Sequence, residues 1–346
     1  MPRGTFLTEW YSLMTKSPGL LTIDEITGAW AMLPSPATPN GWDWRETDTV
    51  DVDEVARATE AMISSGIDGL MGMGTLGECC TMTREERRKF MSTAIDTAAG
   101  RVPFIAGATS LGTRDTIEMA REASDMGANG VLLGLPMWCP ADTSMAVSYF
   151  RDVAEACPDT TIFIYANFAA FRYTWPPAFW AQMADIPQVR GVKYAAGANN
   201  RLVNDLNASR GNIRFLVMDM EYYMSARIDP DAMKAFWSSG AACGPEVATH
   251  LRDLVEGAKA SGDWSKAKEF SDRIAPSMAT LFPRGQHTEF AKYNVGLEKE
   301  RINAGGWMNV GPARPPHHLT PEEYLEGART SGRIWAQIAE EITAAG

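Results

Sequence analysis

Lys193 closes the stretch Gln188-Val189-Arg190-Gly191-Val192-Lys193-Tyr194-Ala195, bounded by Pro187 before it and Gly197-Ala198-Asn199-Asn200 after it. A short, β-branched, largely apolar run between such breakers predicts a buried parallel strand. An amine at the end of that strand is costly to bury as an ammonium. Desolvation favours its neutral form, which attacks a ketone to give a Schiff base. A lysine that snorkels from the sheet edge into water fits the same stretch. The choice depends on what the fold brings alongside.

Four further positions carry suitable chemistry. The turn Gly74-Thr75-Leu76-Gly77-Glu78 combines two glycines with a hydroxyl and free N–H groups, a nest for a small carboxylate. A plain glycine-rich turn has the same composition. Tyr165 ends another apolar run; its phenol can shuttle protons beside a Schiff base, or simply be a satisfied core tyrosine. Asn167 offers an amide to a water or a carbonyl, or caps local backbone. Trp138, after Pro136-Met137, is either an aromatic wall for a flat substrate or a rim residue.

Composition narrows the class. The 346 residues carry a net charge of −11, which argues against nucleic acid or an anionic membrane as partner. Hydrophobic residues make up 45% and charged ones 22%, as in an ordinary globular chain with a large core. The five cysteines (Cys79, Cys80, Cys139, Cys157, Cys243) lack CxxC spacing, and the four histidines lack metal-ligand spacing. No metal or cofactor is expected. Residues 1–16 lack the apolar core of a signal peptide, and no run reaches the length of a membrane span, so a reduced, cytoplasmic location is expected.

The elements that must hold these residues alternate. Strand candidates at 28–33, 67–73, 102–106, 130–135, 161–166, 188–195, 213–218 and 241–244 are each followed by a helical pattern. The helices include one opened by the capping box Thr83-Arg84-Glu85-Glu86 and one from Asp229-Pro230 to Ser239, with aspartate as N-cap and proline at the first helical position. Strict βα alternation predicts a parallel sheet with right-handed crossovers, and eight units predict a closed (β/α)8 TIM barrel. An open doubly wound sheet is the alternative, but no Gly-x-Gly-x-x-Gly follows the first strand. After Gly262 only helical patterns remain, near 264–281, 288–304 and 320–344. The expected organisation is an N-terminal arm (1–20), a barrel (21–262) and a C-terminal helical extension (263–346).

Taken together, Gly-Thr-x-Gly-Glu, a strand ending in Tyr165, and Gly191-Val192-Lys193 resemble the class I pyruvate aldolases, the superfamily of dihydrodipicolinate synthase and N-acetylneuraminate lyase. Leu76 stands where dihydrodipicolinate synthase has a second threonine. The stretches Gly74–Cys79, Pro136-Met137-Trp138, 236–240, 281–285 and Lys292-Tyr293-Asn294 are instead similar to the hydratase-aldolase subgroup of aromatic-hydrocarbon breakdown. The resemblance implies that Lys193 forms the Schiff base, Tyr165 moves protons, and Thr75 with the backbone of Leu76 binds the keto-acid carboxylate. Asn167 or Tyr165 would orient the hydrating water, and a homotetramer is implied. The expected substrate is an ortho-substituted benzylidenepyruvate, preferentially trans-o-carboxybenzalpyruvate on the overall sequence pattern, with Arg172 offering a planar fork suited to an ortho carboxylate. Trans-o-hydroxybenzylidenepyruvate is the alternative, and residue type alone favours Arg172 as a surface arginine in a long loop. Two other readings remain: a non-catalytic keto-acid sensor on the same fold, and a simple 2-keto acid or sugar-acid lyase.

Overall fold

The computed structural model describes residues 19–195 and 199–345, with no side-chain detail at 199 and 200. Nearly all of the expected arm, and part of the turn after the lysine strand, lie outside the described residues. Eight parallel strands close into a barrel in sequence order. They are β1 Gly28–Leu33, β2 Gly69–Gly72, β3 Phe104–Gly107, β4 Gly130–Leu133, β5 Thr161–Tyr165, β6 Val189–Lys193, β7 Arg214–Met218 and β8 Ala235–Ser238. The outer helices are α1 Val52–Ser64, α2 Arg84–Ala98, α3 Thr113–Asp125, α4 Thr143–Ala156, α5 Phe168–Phe171, α6 Pro177–Met183, α7 Asn199–Ser209, α8 Asp219–Ile228 and α9 Pro245–Ser261. Three more, α10 Ser265–Leu281, α11 His287–Gly305 and α12 Glu322–Ala345, form the C-terminal extension.

Local chemistry sets several boundaries. Thr83 accepts from the Glu86 N–H at 3.2 Å while Glu86 accepts from the Thr83 N–H at 2.8 Å, so both orphan donors at the start of α2 are satisfied. Asp51 and Asp142 cap α1 and α4 in the same way with their carboxylates.

One stretch departs from expectation. Residues 229–239 do not form a helix. Asp229 does accept from the Ala232 N–H at 2.9 Å, but the turn it caps does not propagate. Ala235-Phe236-Trp237-Ser238 follows as the eighth strand, fully buried and paired with both β1 and β7. Residues 241–244, expected as a strand, are not one; a short 3-10 turn occupies Gly240–Cys243. A cap signal lost here to tertiary burial of two aromatic rings, and the α8 helix that belongs between β7 and β8 begins directly at Asp219. The short helix α5, within the loop after β5, was also not foreseen.

The β5–β6 pair contains a register shift between Ile162 and Phe163, which leaves Arg190 as the extra residue and pairs Tyr165 with Lys193. Gly191 is needed at this place, since a Cβ there would lie 2.5 Å from the Phe163 ring. Paired residues of parallel strands share one face, so this bulge puts the phenol and the amine side by side. Among the described residues, no helix is long and apolar enough to cross a membrane.

Candidate active site

The C-terminal ends of the strands open into a cavity of about 260 Å³ whose lining includes Thr75, Leu76, Tyr165, Asn167 and Lys193. Active sites of closed βα barrels lie at this face. Lys193 is buried at the end of β6. Its Nζ sits 3.4 Å from the centroid of the Trp237 ring and 4.6 Å from that of Tyr165. The indole is held face-on by its own N–H, which donates to the Tyr194 carbonyl at 2.8 Å. Burial pulls the Lys193 amine below its ordinary pKa; Tyr165, Glu298 and Asp219 pull it part of the way back. The amine is thus shifted toward its nucleophilic form.

Tyr165 is wired on two sides. Its hydroxyl lies 2.9 Å from the Thr75 hydroxyl, and the Asn167 amide donates to it at 3.2 Å. Asn167 is the local cap considered for it, its Oδ1 accepting from the Ala170 N–H at 3.0 Å at the start of α5, while its amide nitrogen donates to the phenol. The Thr75 turn is tight for a reason other than expected. Its left-handed residues are Met73 and Glu78, with φ of 57° and 51°, not the glycines. Gly77 serves close approach instead, since a Cβ there would sit 2.6 Å from the Met73 nitrogen.

The turn is anchored from below by Glu78, which is fully buried. Its carboxylate takes Lys299 Nζ at 2.7 Å, the Arg314 N–H at 2.7 Å, the Ser35 hydroxyl at 3.2 Å, and the Arg314 guanidinium. The two cations hold Glu78 below the usual carboxylate range despite the opposing effect of burial. Lys299 and Arg314 come from the C-terminal extension and the segment following α11, so the extension fixes the turn that carries Thr75.

Two expected site residues are not brought to the lining. Trp138 is 78% exposed on the rim. Arg172 stands at the end of α5 and points away, its guanidinium donating to the backbone carbonyls of Met137 and Trp138. It ties two loops together through Nη2, which donates to both carbonyls. Conversely, Trp237 and the extension residues Met278, Phe282, His287, Phe290, Asn294 and Glu298 line the cavity, and no role was assigned to them from sequence. A signal existed, because Trp237, Phe282 and Asn294 fall within stretches that carry the family resemblance. Trp237 was obscured by the misplaced helix, and the others lie far from the barrel motifs in sequence. The Phe282 and Phe290 rings meet edge-on at 4.8 Å, giving the far wall an apolar, aromatic surface.

Comparison with known proteins places the chain among its relatives. Over 325 residues, 94% of this chain and 98% of the relative, it is 52% identical to a trans-O-hydroxybenzylidenepyruvate hydratase-aldolase of Sphingobium xenophagum. It is 36% identical over 330 residues, 95% of this chain and 98% of the relative, to a trans-2'-carboxybenzalpyruvate hydratase-aldolase of Nocardioides sp. (strain KP7). A solved structure of PhdJ bound to a substrate intermediate superposes with a TM-score of 0.90 at 37% identity, covering 93% of this chain and 98% of that one. With residues 38–326 matching the family as a whole, and a buried lysine paired to a tyrosine at the mouth of its barrel, the chain belongs to the Dihydrodipicolinate synthetase family.

Proposed function

We propose that this protein is a Schiff-base hydratase-aldolase that converts trans-o-hydroxybenzylidenepyruvate to salicylaldehyde and pyruvate. The observation that carries the reaction class is the desolvated Lys193 amine beside a tyrosine that is hydrogen-bonded to both Thr75 and Asn167. The ortho-hydroxy substrate replaces the carboxy compound expected from sequence. Identity to the hydroxy-substrate relative is 52% against 36% for the carboxy one, and Arg172, the residue offered to grip the ortho carboxylate, is bound to backbone carbonyls.

Each step has a residue suited to it. The Lys193 amine condenses with the keto carbon, while Thr75 and the backbone of Leu76 hold the neighbouring carboxylate. The iminium withdraws electrons through the conjugated alkene, so water oriented by Asn167 or Tyr165 adds at the aryl-bearing carbon. The enamine so formed takes the water's second proton at the neighbouring carbon, which restores the iminium. Tyr165 then takes the proton of the new hydroxyl as its own passes toward Thr75, the carbon–carbon bond breaks with its electrons drawn into the iminium, and the aldehyde leaves. Protonation and hydrolysis of the enamine release pyruvate and the free amine. The apolar wall of Met278, Phe282 and Phe290 suits a flat ring better than a polyhydroxylated chain, which disfavours a sugar-acid substrate.

Steady-state comparison of the ortho-hydroxy and ortho-carboxy substrates tests the assignment. A higher kcat/KM for the hydroxy compound is expected; a clear preference for the carboxy compound would overturn it. Borohydride trapping with pyruvate tests the chemistry separately, and label on Lys193 counts against a sensor that binds keto acids without forming an imine. A homotetrameric, cytoplasmic enzyme is the accompanying proposal; five free cysteines suit a reducing compartment, and light scattering checks the assembly.

A further inference from the structure

A charge cluster under the cavity is not used by the steps above. Glu298, from α11, lines the same cavity as Lys193 and is itself buried. Its carboxylate accepts from the Ser239 hydroxyl at 3.1 Å and pairs with Arg301 Nη1 at 3.2 Å, and the same Nη1 donates to Ser239 Oγ at 3.1 Å. Arg301 is fully buried, 5.4 Å from the centroid of the Trp335 ring. Among the described residues, its Nε and Nη2 have no hydrogen-bond partner. A guanidinium left this incompletely satisfied in the interior is a poor choice for stability alone. Asp219 completes the group at the end of β7, buried and accepting from the Ser238 hydroxyl at 2.6 Å and the Met220 N–H at 2.7 Å.

Burial pushes the Asp219 carboxyl above its ordinary range, which leaves Glu298, hydrogen-bonded to Ser239 and paired with Arg301, as the carboxylate that can answer a cation on the Lys193 nitrogen. Schiff-base formation puts one there. The neutral amine bonds to the keto carbon, the carbon–oxygen bond breaks, the oxygen leaves as water, and one proton is taken up from solvent to leave an iminium. A buried cation formed this way requires a fixed anion close by. Glu298 is held in place by Arg301 and Ser239, whereas Tyr165 must stay free to exchange its proton.

We propose that Glu298 is a positioning residue for the Schiff-base step: its carboxylate, clamped by Arg301 and Ser239, is the fixed counter-charge of the iminium on Lys193. The proposal rests on the reading of Lys193 as the Schiff-base residue. The groups acting on that nitrogen are Tyr165 from β5, Asp219 after β7, and Glu298 from α11, each of which raises its proton affinity against the effect of burial. Arg301 acts on it indirectly, through the charge it leaves on Glu298.

The test measures borohydride trapping of pyruvate on the full-length chain as a function of pH. Glu298→Gln keeps the shape and removes the charge. Both the acid limb of trapping and the alkaline limb at which the adduct declines are expected to move to lower pH by on the order of one unit. Glu298→Asp keeps the charge and should leave both limbs near those of the unaltered enzyme. A packing role predicts the reverse: wild-type limbs in Glu298→Gln and a larger defect in Glu298→Asp. If Glu298→Gln does not fold, Arg301→Gln decides with the opposite sign, because the less neutralised carboxylate should move the limbs to higher pH. Unmoved limbs in the folded variant, with Lys193 still labelled, overturn this proposal and leave the Schiff-base reading intact. Absence of label on Lys193 in the unaltered enzyme overturns both.

Discussion

Two buried lysines in this protein have opposite surroundings. Lys299 is 2% exposed and bonded to the Glu78 carboxylate and the Pro312 carbonyl, in a cluster where Arg314, Ser35 and Thr49 complete one another's hydrogen bonds. Lys193 is 7% exposed and has aromatic faces at 3.4 and 4.6 Å. Both are drawn down by burial, Lys299 to about 8, but Lys299 has a carboxylate in direct contact. A paired lysine holds structure in place. A lysine whose nearest neighbours are a tyrosine and an indole keeps its lone pair available for chemistry.

Replacing each lysine's working group should therefore give opposite phenotypes. Lys193→Met should abolish borohydride labelling and lower turnover by at least about 10³-fold while leaving the thermal midpoint unchanged or raised, since a desolvated amine is removed. A fall in stability to match the loss of activity would show that the contrast is wrong. In the unaltered enzyme, Schiff-base formation should persist to lower pH than for an ordinary lysine, because burial lowers the pKa and the neutral amine is the reactive form.

Tyr165→Phe removes the phenol but not the ring that packs on Phe171 at 5.5 Å. Turnover should drop on the order of 10²–10⁴-fold with the fold intact. Stopped-flow and denaturant melts on the same sample check both halves; normal turnover would remove Tyr165 from the mechanism.

Glu78→Gln attacks the other cluster. It leaves Lys299 and Arg314 buried without their anion, so unfolding should become easier by roughly 3–5 kcal/mol, read from urea midpoints. The sign of the pH effect follows from the lowered pKa of Glu78. Its stabilisation is complete above the unfolded carboxylate value of about 4.5 and is lost as pH falls through the lower folded value. The unaltered protein should therefore lose stability more steeply in acid than Glu78→Gln does.

Arg172→Ala is the smallest change. It frees the carbonyls of Met137 and Trp138 at the rim, so a modest rise in KM is expected, with the ratio of kcat/KM between ortho-hydroxy and ortho-carboxy substrates unchanged. A selective loss on the carboxy compound would restore the arginine to substrate recognition.

Much of this was legible in the chain itself. Local patterns are strong where each strand is a short apolar run between breakers, so seven of the eight strands and the helical extension fall where the sequence reading puts them. The stretch 229–244 misled because Asp229-Pro230 satisfies a helix-start rule locally, while the burial of Phe236 and Trp237 between β1 and β7 is a property of the closed barrel. Propensity gave way there to packing that no window of sequence contains.

The types of the groups proposed to react, an amine after Gly-Val, a phenol at a strand end and a hydroxyl in a glycine turn, are properties of the sequence, because reactivity belongs to the residue type and its immediate run. Which of them meet was decided only in three dimensions. The Arg190 bulge aligns Tyr165 with Lys193, the extension supplies Phe282, Phe290 and Glu298 from about a hundred residues away, and Arg172 is turned to the backbone. Strand register, burial and the net charge beneath a cavity depend on contacts between distant segments, and those are set by the closure of the barrel and the docking of its helices.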